Sequence, residues 1–214
     1  MLKMRSISAR LVLAISVLIA ANCAVLGTFS VLQQRTMTRL ALDQQLKLQY
    51  DSVIAALDYE GRAAFAVSSV IAALPPVADA VAKGDRGAMM ALLGGIAAPL
   101  KAQGMPYIDV IQPPATVFLR VHDPKAFGDD ASAHRTTVVL SNKTGDPVVG
   151  VEPARTTLAV FAMTPMMRDG KSIGVIDIGV PFGKEFVDRA KQRFGVDIAV
   201  HRFENNEFRK LAAT

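Results

Sequence analysis

Residues 11–32 carry no charge over 22 positions, and Arg10 and Arg35 flank them. At about 1.5 Å of rise per residue, such a run makes a helix of roughly 33 Å, enough to cross a bilayer core of about 30 Å. A cleavable signal peptide normally has an apolar core of about 7–15 residues and a small-residue cleavage site. Here the run is longer, and it leads into an amphipathic pattern with no clear A-x-A break. The sequence therefore predicts an uncleaved anchor over residues 11–34, preceded by a short tail over residues 1–10.

Cys23, the only cysteine, lies inside this run. Asn22 stands where a lipid-attachment cysteine would follow a small residue, so Cys23 reads as a small apolar thiol. A single cysteine permits no internal disulfide.

The formal charge of +5 points at first to a nucleic-acid binder, but its placement argues otherwise. Lys3, Arg5, Arg10, Arg35 and Arg39 all precede Asp43, the first acid. Without those five, 19 basic residues face 19 acids, and no basic stripe is left to neutralise phosphates. Basic residues flank the apolar run on both sides, with Lys47 following Arg35 and Arg39, so the positive-inside rule gives no orientation.

Residues 35–74 lack proline, and Gly61 is their only breaker. Ile54, Leu57, Gly61, Ala64, Ser68 and Ile71 follow 3-4 spacing and form a narrow seam on a long helix. The seam suits either pairing with a second copy, as a homodimer, or packing against the chain's own domain. Pro75-Pro76 ends that helix. Asp85 suits an N-cap for a helix through Leu93, weakened by Gly94-Gly95, and Gly104 closes the helical region.

Beyond Gly104 the period changes to two. Strands are expected over residues 107–112, 116–122, 146–152, 156–167 and 172–181, with a short helix over 131–142. Asp169-Gly170 is a strong hairpin signal. An amphipathic helix over 185–194 and a strand over 196–203 follow. The expected fold is α+β, with antiparallel strands over residues 75–214 and helices on one side of the sheet.

No catalytic motif is present: no G-x-S-x-G, P-loop, H-E-x-x-H or dinucleotide fingerprint. His122 and His134, with Asp123, Asp129 and Asp130, match no standard metal-ligand spacing. No cofactor is expected. Arg120 and His122 are the best-placed polar pair. At i and i+2 on a strand they share a face, while Leu119 and Val121 take the core side. An arginine can grip a carboxylate with two parallel bonds. A plain exposed polar face explains the pair as well. Arg135, Arg155 and Tyr107 are further candidates for the same cavity.

The segment Phe118-Leu119-Arg120-Val121-His122-Asp123-Pro124-Lys125-Ala126-Phe127-Gly128-Asp129-Asp130 resembles one found in Cache sensor domains of bacterial chemoreceptors. The resemblance continues through residues 148–152, Thr164-Pro165, residues 169–179 and residues 194–201. It covers roughly residues 105–210. It implies an extracytoplasmic, PAS-like module of the double-Cache type that binds a small ligand and has no enzymatic role. The same residues look distantly related to periplasmic domains of citrate and C4-dicarboxylate sensor kinases. That likeness implies that Arg120 and His122 hold a carboxylate. Relatives carry basic residues just before the Thr-Pro, where this chain has Phe161 and Met163, which leaves room for a less charged ligand. Family members continue into a second module, a second span and a signalling region, so the sensor domain is expected to be incomplete at Thr214. The resemblance also places the short tail in the cytoplasm and the domain in the periplasm. The rival readings are a tethered interaction module without a ligand and, more remotely, a tethered hydrolase.

Overall fold

A computed structural model describes residues 7–154, 158–204 and 206–214. The apolar run and the seam after it fold into one unbroken helix, α1 (Ile7–Ala72, 66 residues). The chain divides into two units, Met1–Asp51 and Ser52–Thr214. In the first, the helix is exposed almost throughout and contains a stretch long and apolar enough to cross a membrane.

The second unit is built on a five-stranded antiparallel sheet. Its strands are β1 (Tyr107–Gln112), β2 (Thr116–Arg120), β3 (Val148–Pro153), β4 (Leu158–Arg168) and β5 (Lys171–Pro181), in the order β2-β1-β5-β4-β3. The Asp-Gly signal holds. Asp169 and Gly170 adopt φ of 52° and 74°, and Arg168 pairs with Lys171 across a two-residue loop. Positive φ at both central residues matches the right-handed twist of the flanking strands.

One face of the sheet carries Ile108, Val110, Leu119, Ala162, Ile176 and Ile178. It packs against the C-terminal part of α1, α2 (Pro75–Lys83) and α3 (Arg86–Ala102). Here the seam finds its partner. Gly61, Ala64, Ser68 and Ile71 are buried, and a Cβ on Gly61 would meet Val149 at 3.1 Å and Val160 at 3.3 Å. From Leu57 onward the seam packs on its own domain, while Ile54 stays 44% exposed.

Several boundaries differ from the sequence reading. Asp85 does cap α3, accepting from the Ala88 amide at 2.9 Å, and the helical region closes ahead of Gly104 as expected, but Gly94-Gly95 do not interrupt the helix, which runs to Ala102. Burial of Met89, Leu93 and Leu100 along one face outweighs the glycine cost. The expected helix over 131–142 is α4 (Thr136–Thr144), and it covers the second face of the sheet rather than sharing the first. Helices therefore lie on both sides. After α5 (Lys184–Phe194), β6 (Ala199–Glu204) pairs with a strand the sequence did not reveal, β7 (Glu207–Ala213). Of β7 only Ala212 is buried, so it carries no apolar run that would betray a strand.

Candidate functional site

The second sheet face is the polar one. Alternation sends Tyr107 and Asp109 of β1, Arg120 of β2, Phe161 and Met163 of β4, and Asp177 of β5 to this side. Ile111 follows on the same side by alternation, and an irregularity in β2 at Phe118, where Val110 pairs with Leu119 but Ile111 with Val117, turns Val117 to join it. With α4 and the loop before it, these side chains enclose a cavity of about 250 Å³. Its lining includes Tyr107, Asp109, Arg120, His122, Asp123, His134, Arg135 and Phe161.

Arg120 and His122 thus share a wall, with Leu119 and Val121 buried in the opposite core. Arg120 already grips a carboxylate of its own chain. Its guanidinium donates to both oxygens of Asp129 at 2.7 Å, and to the Ala126 carbonyl at 2.9 Å. The Asp129 hydrogen bonds hold its charge more firmly than usual, against partial burial. His122 lies beyond the end of β2, its Nδ1 3.4 Å from Asp109 Oδ1 and its ring 5.1 Å from that of Tyr107.

Arg135 precedes α4 and is buried. Its Nε donates to Glu152 at 2.9 Å and its second terminal nitrogen to Asp177 at 2.5 Å. The guanidinium carbon stacks 3.7 Å above the Phe161 ring. Burial disfavours that charge, and the two carboxylates more than restore it. Glu152 also accepts from the Thr136 hydroxyl, and from the Thr137 amide and hydroxyl. Burial raises its pKa, but the Thr137 and Arg135 hydrogen bonds hold it below the usual carboxylate range. Arg155 lies outside the described residues; its neighbour Ala154 lines the cavity.

Asp109 and Asp177 were missed at the sequence level. Each is a single acid in an otherwise apolar strand, in Tyr-Ile-Asp-Val-Ile and Val-Ile-Asp-Ile-Gly. That isolation was the available signal, because a lone acid in a buried strand needs a partner. The two are direct neighbours across the β1–β5 ladder. Burial and then the Asp177 carboxylate push the Asp109 carboxyl up to about 8, against the pull of Arg120 and Arg135. Burial also raises Asp177, with Arg135 opposing. Among the described residues, one oxygen of each, Oδ1, is buried without a hydrogen-bond partner.

A long helix on one face of a five-stranded antiparallel sheet, with a small polar cavity on the other, defines a PAS-like sensor domain. The chain belongs to the dCache_3 family, the double sensory domain of two-component sensor kinases, whose model matches residues 39–205. No curated protein matches it. The sensor domain of the V. cholerae histidine kinase DctB is similar with a TM-score of 0.53 at 11% identity, over 74% of this chain and 61% of that one. The sensory domain of the Campylobacter jejuni chemoreceptor Tlp3 with isoleucine bound gives 0.51 at 17% identity, over 79% and 68%. The same domain in complex with L-norvaline gives 0.52 at 15%, over 79% and 66%. At these identities the likeness is one of fold. The chain spans 61% of the length of the DctB sensor domain.

Proposed function

We propose that this chain is a membrane-anchored, extracytoplasmic sensing module that binds a small molecule in the cavity between the sheet and α4. The observation that carries this reading is the cavity itself. Its walls combine aromatic and aliphatic surface with a few converging polar groups, the usual make-up of a small-molecule site. Its volume of about 250 Å³ suits a metabolite-sized ligand. The family match and the amino-acid complexes of Tlp3 support sensing over catalysis. The apolar stretch of α1 supports the anchor, and the basic residues around it support a membrane-surface position. A homodimer through the exposed part of α1 fits this reading.

Tyr107, Arg120, His122 and Arg135 are the ligand-binding candidates that line the cavity, and Arg155 is retained beside them. A ligand carboxylate on Arg120 would have to take the place of Asp129.

Occupancy would be reported by a change in domain packing, which requires that the ligand bind two states unequally. The test is a thermal-shift measurement on the full chain in detergent, against a panel of amines, amino acids and organic acids. Selective stabilisation by one chemical class is expected, because a ligand binding the folded state stabilises it by mass action. A flat response from a folded chain overturns the sensing reading in favour of an interaction module.

A further inference from the structure

The cavity's charges do not balance in favour of an anion. Among the described residues, the two guanidinium groups that line the cavity are each held by carboxylates of the chain, Arg120 by Asp129, and Arg135 by Glu152 and Asp177. Asp109 is bonded to neither, although both act on it through space. It is 7% exposed, lines the cavity, and has a buried oxygen with no hydrogen-bond partner. Unsatisfied buried carboxylate oxygens are costly, and a native one needs an explanation. His122 Nδ1, 3.4 Å away, makes no hydrogen bond to it. The Tyr107 ring stands beside the same wall, and aromatic surface next to a carboxylate is a setting that favours an ammonium group.

Resting on the sensing function above, we infer that the ligand of this cavity is a small amine, whose ammonium group donates to Asp109. The groups that set the charge state of Asp109 come from every element around it. Among the described residues they are Asp177 on β5, Arg120 at the β2 end, Arg135 before α4 and Asp129 in the loop after β2, while His122, Asp123 and His134 face it across the cavity lining.

The geometry gives this inference a sign in pH. With the Asp109 carboxyl pushed up to about 8, the empty cavity holds a proton there at neutral pH. An alkylammonium with a pKa near about 10.4 stays charged throughout, so it displaces that proton. Binding then tightens as pH rises, by roughly 50-fold between about pH 6 and 8. A carboxylate would behave in the opposite way.

The experiment is calorimetry on the full chain in detergent, using probe pairs that share a carbon skeleton. These are isobutylamine against isovalerate, and phenethylamine against 3-phenylpropionate. The expected result is that an amine binds, tightens toward pH 8 and releases about one proton near pH 6 and about half of one at pH 8, while its paired acid does not bind. Asp109→Asn should abolish amine binding, with circular dichroism reporting whether the variant folds. The wild-type pH profile decides the matter even if it does not. Binding of an acid that tightens as pH falls overturns the amine inference and leaves the sensing function standing, with Arg155 the first cation to examine. Silence from all four probes in a folded chain overturns the amine inference, and only a flat response across the wider thermal-shift panel overturns the sensing function as well.

Discussion

Arg135 carries the heaviest burden of any single residue in the site. Buried between Glu152 and Asp177 and stacked on Phe161, it compensates two carboxyls that cannot reach water. Removing one partner of a buried ion pair costs about 3–5 kcal/mol. In a domain of this size that is a fall in Tm of roughly 6–20 °C. Arg135→Met should show such a fall at pH 8 and a smaller one at pH 5, as the stranded carboxyls take up protons. A deficit equal at both values would locate the cost in packing instead. Arg120→Ala should be milder, at about 1–2 kcal/mol, because its partner Asp129 is 48% exposed and water can replace the lost bond. The shared face of Arg120 and His122 was legible from i, i+2 spacing alone. That Arg120 bonds to Asp129 was not, because a loop carboxylate nine residues downstream follows no period. Nor was the juxtaposition of Asp109 and Asp177. They lie on strands far apart in sequence, and only the β1–β5 register brings them opposite each other.

At the level of elements, the close approach of β4 and β5 under the cavity depends on Gly179. A Cβ there would stand 2.5 Å from Phe161 Cε1 and 3.0 Å from Tyr107 Cβ. Gly179→Ala must therefore displace the Phe161 ring, and with it the surface on which Arg135 stacks. Overpacking of this kind costs about 1–3 kcal/mol. The expected outcome is a folded chain with lowered Tm and weakened ligand binding, read by thermal shift and calorimetry on the same sample. Unchanged binding would show that the Phe161 wall plays no part in recognition. Elements were legible where burial imposes a period, as in β1, β2, β4 and β5, or where a turn has a fixed chemistry, as at Asp169-Gly170. They were not legible where tertiary contact overrides local preference. The continuation of α3 through two glycines is held by Leu93 and Leu100 in the core, and the exposed β7 is held mainly by pairing with β6.

For the whole molecule, the anchor and the domain give predictions of different kinds. A reporter fused after Thr214 should be active only if it functions in the periplasm, and strong activity from a cytoplasm-only reporter would reverse the topology. The second prediction concerns stability and pH. Asp109 holds its proton more tightly in the folded chain than in the unfolded one, because its pKa rises from 3.8 to about 8. The folded state therefore enjoys its full advantage below about pH 4 and loses it as pH climbs toward 8. The loss is at most about 1.4 kcal/mol per pH unit for one proton. Asp177, raised in the same direction, adds to the slope. Glu152 acts oppositely: held below its ordinary value of 4.5, it stabilises above that value and loses its effect as pH falls through its lower folded pKa. Between about pH 5 and 8 the Asp109 and Asp177 contributions act in the same direction, so the Tm of the ligand-free chain should decline across that window. Asp109→Asn, which keeps the shape and removes that titration, should make the decline shallower and raise the Tm at pH 8. An ammonium ligand should restore the wild-type Tm at pH 8 more than at pH 6, since it supplies the charge that the departing proton takes away. A wild-type curve already flat over this range would mean that Asp109 stays ionised beside a counter-charge within the protein, and that the cavity does not need a cation to complete it.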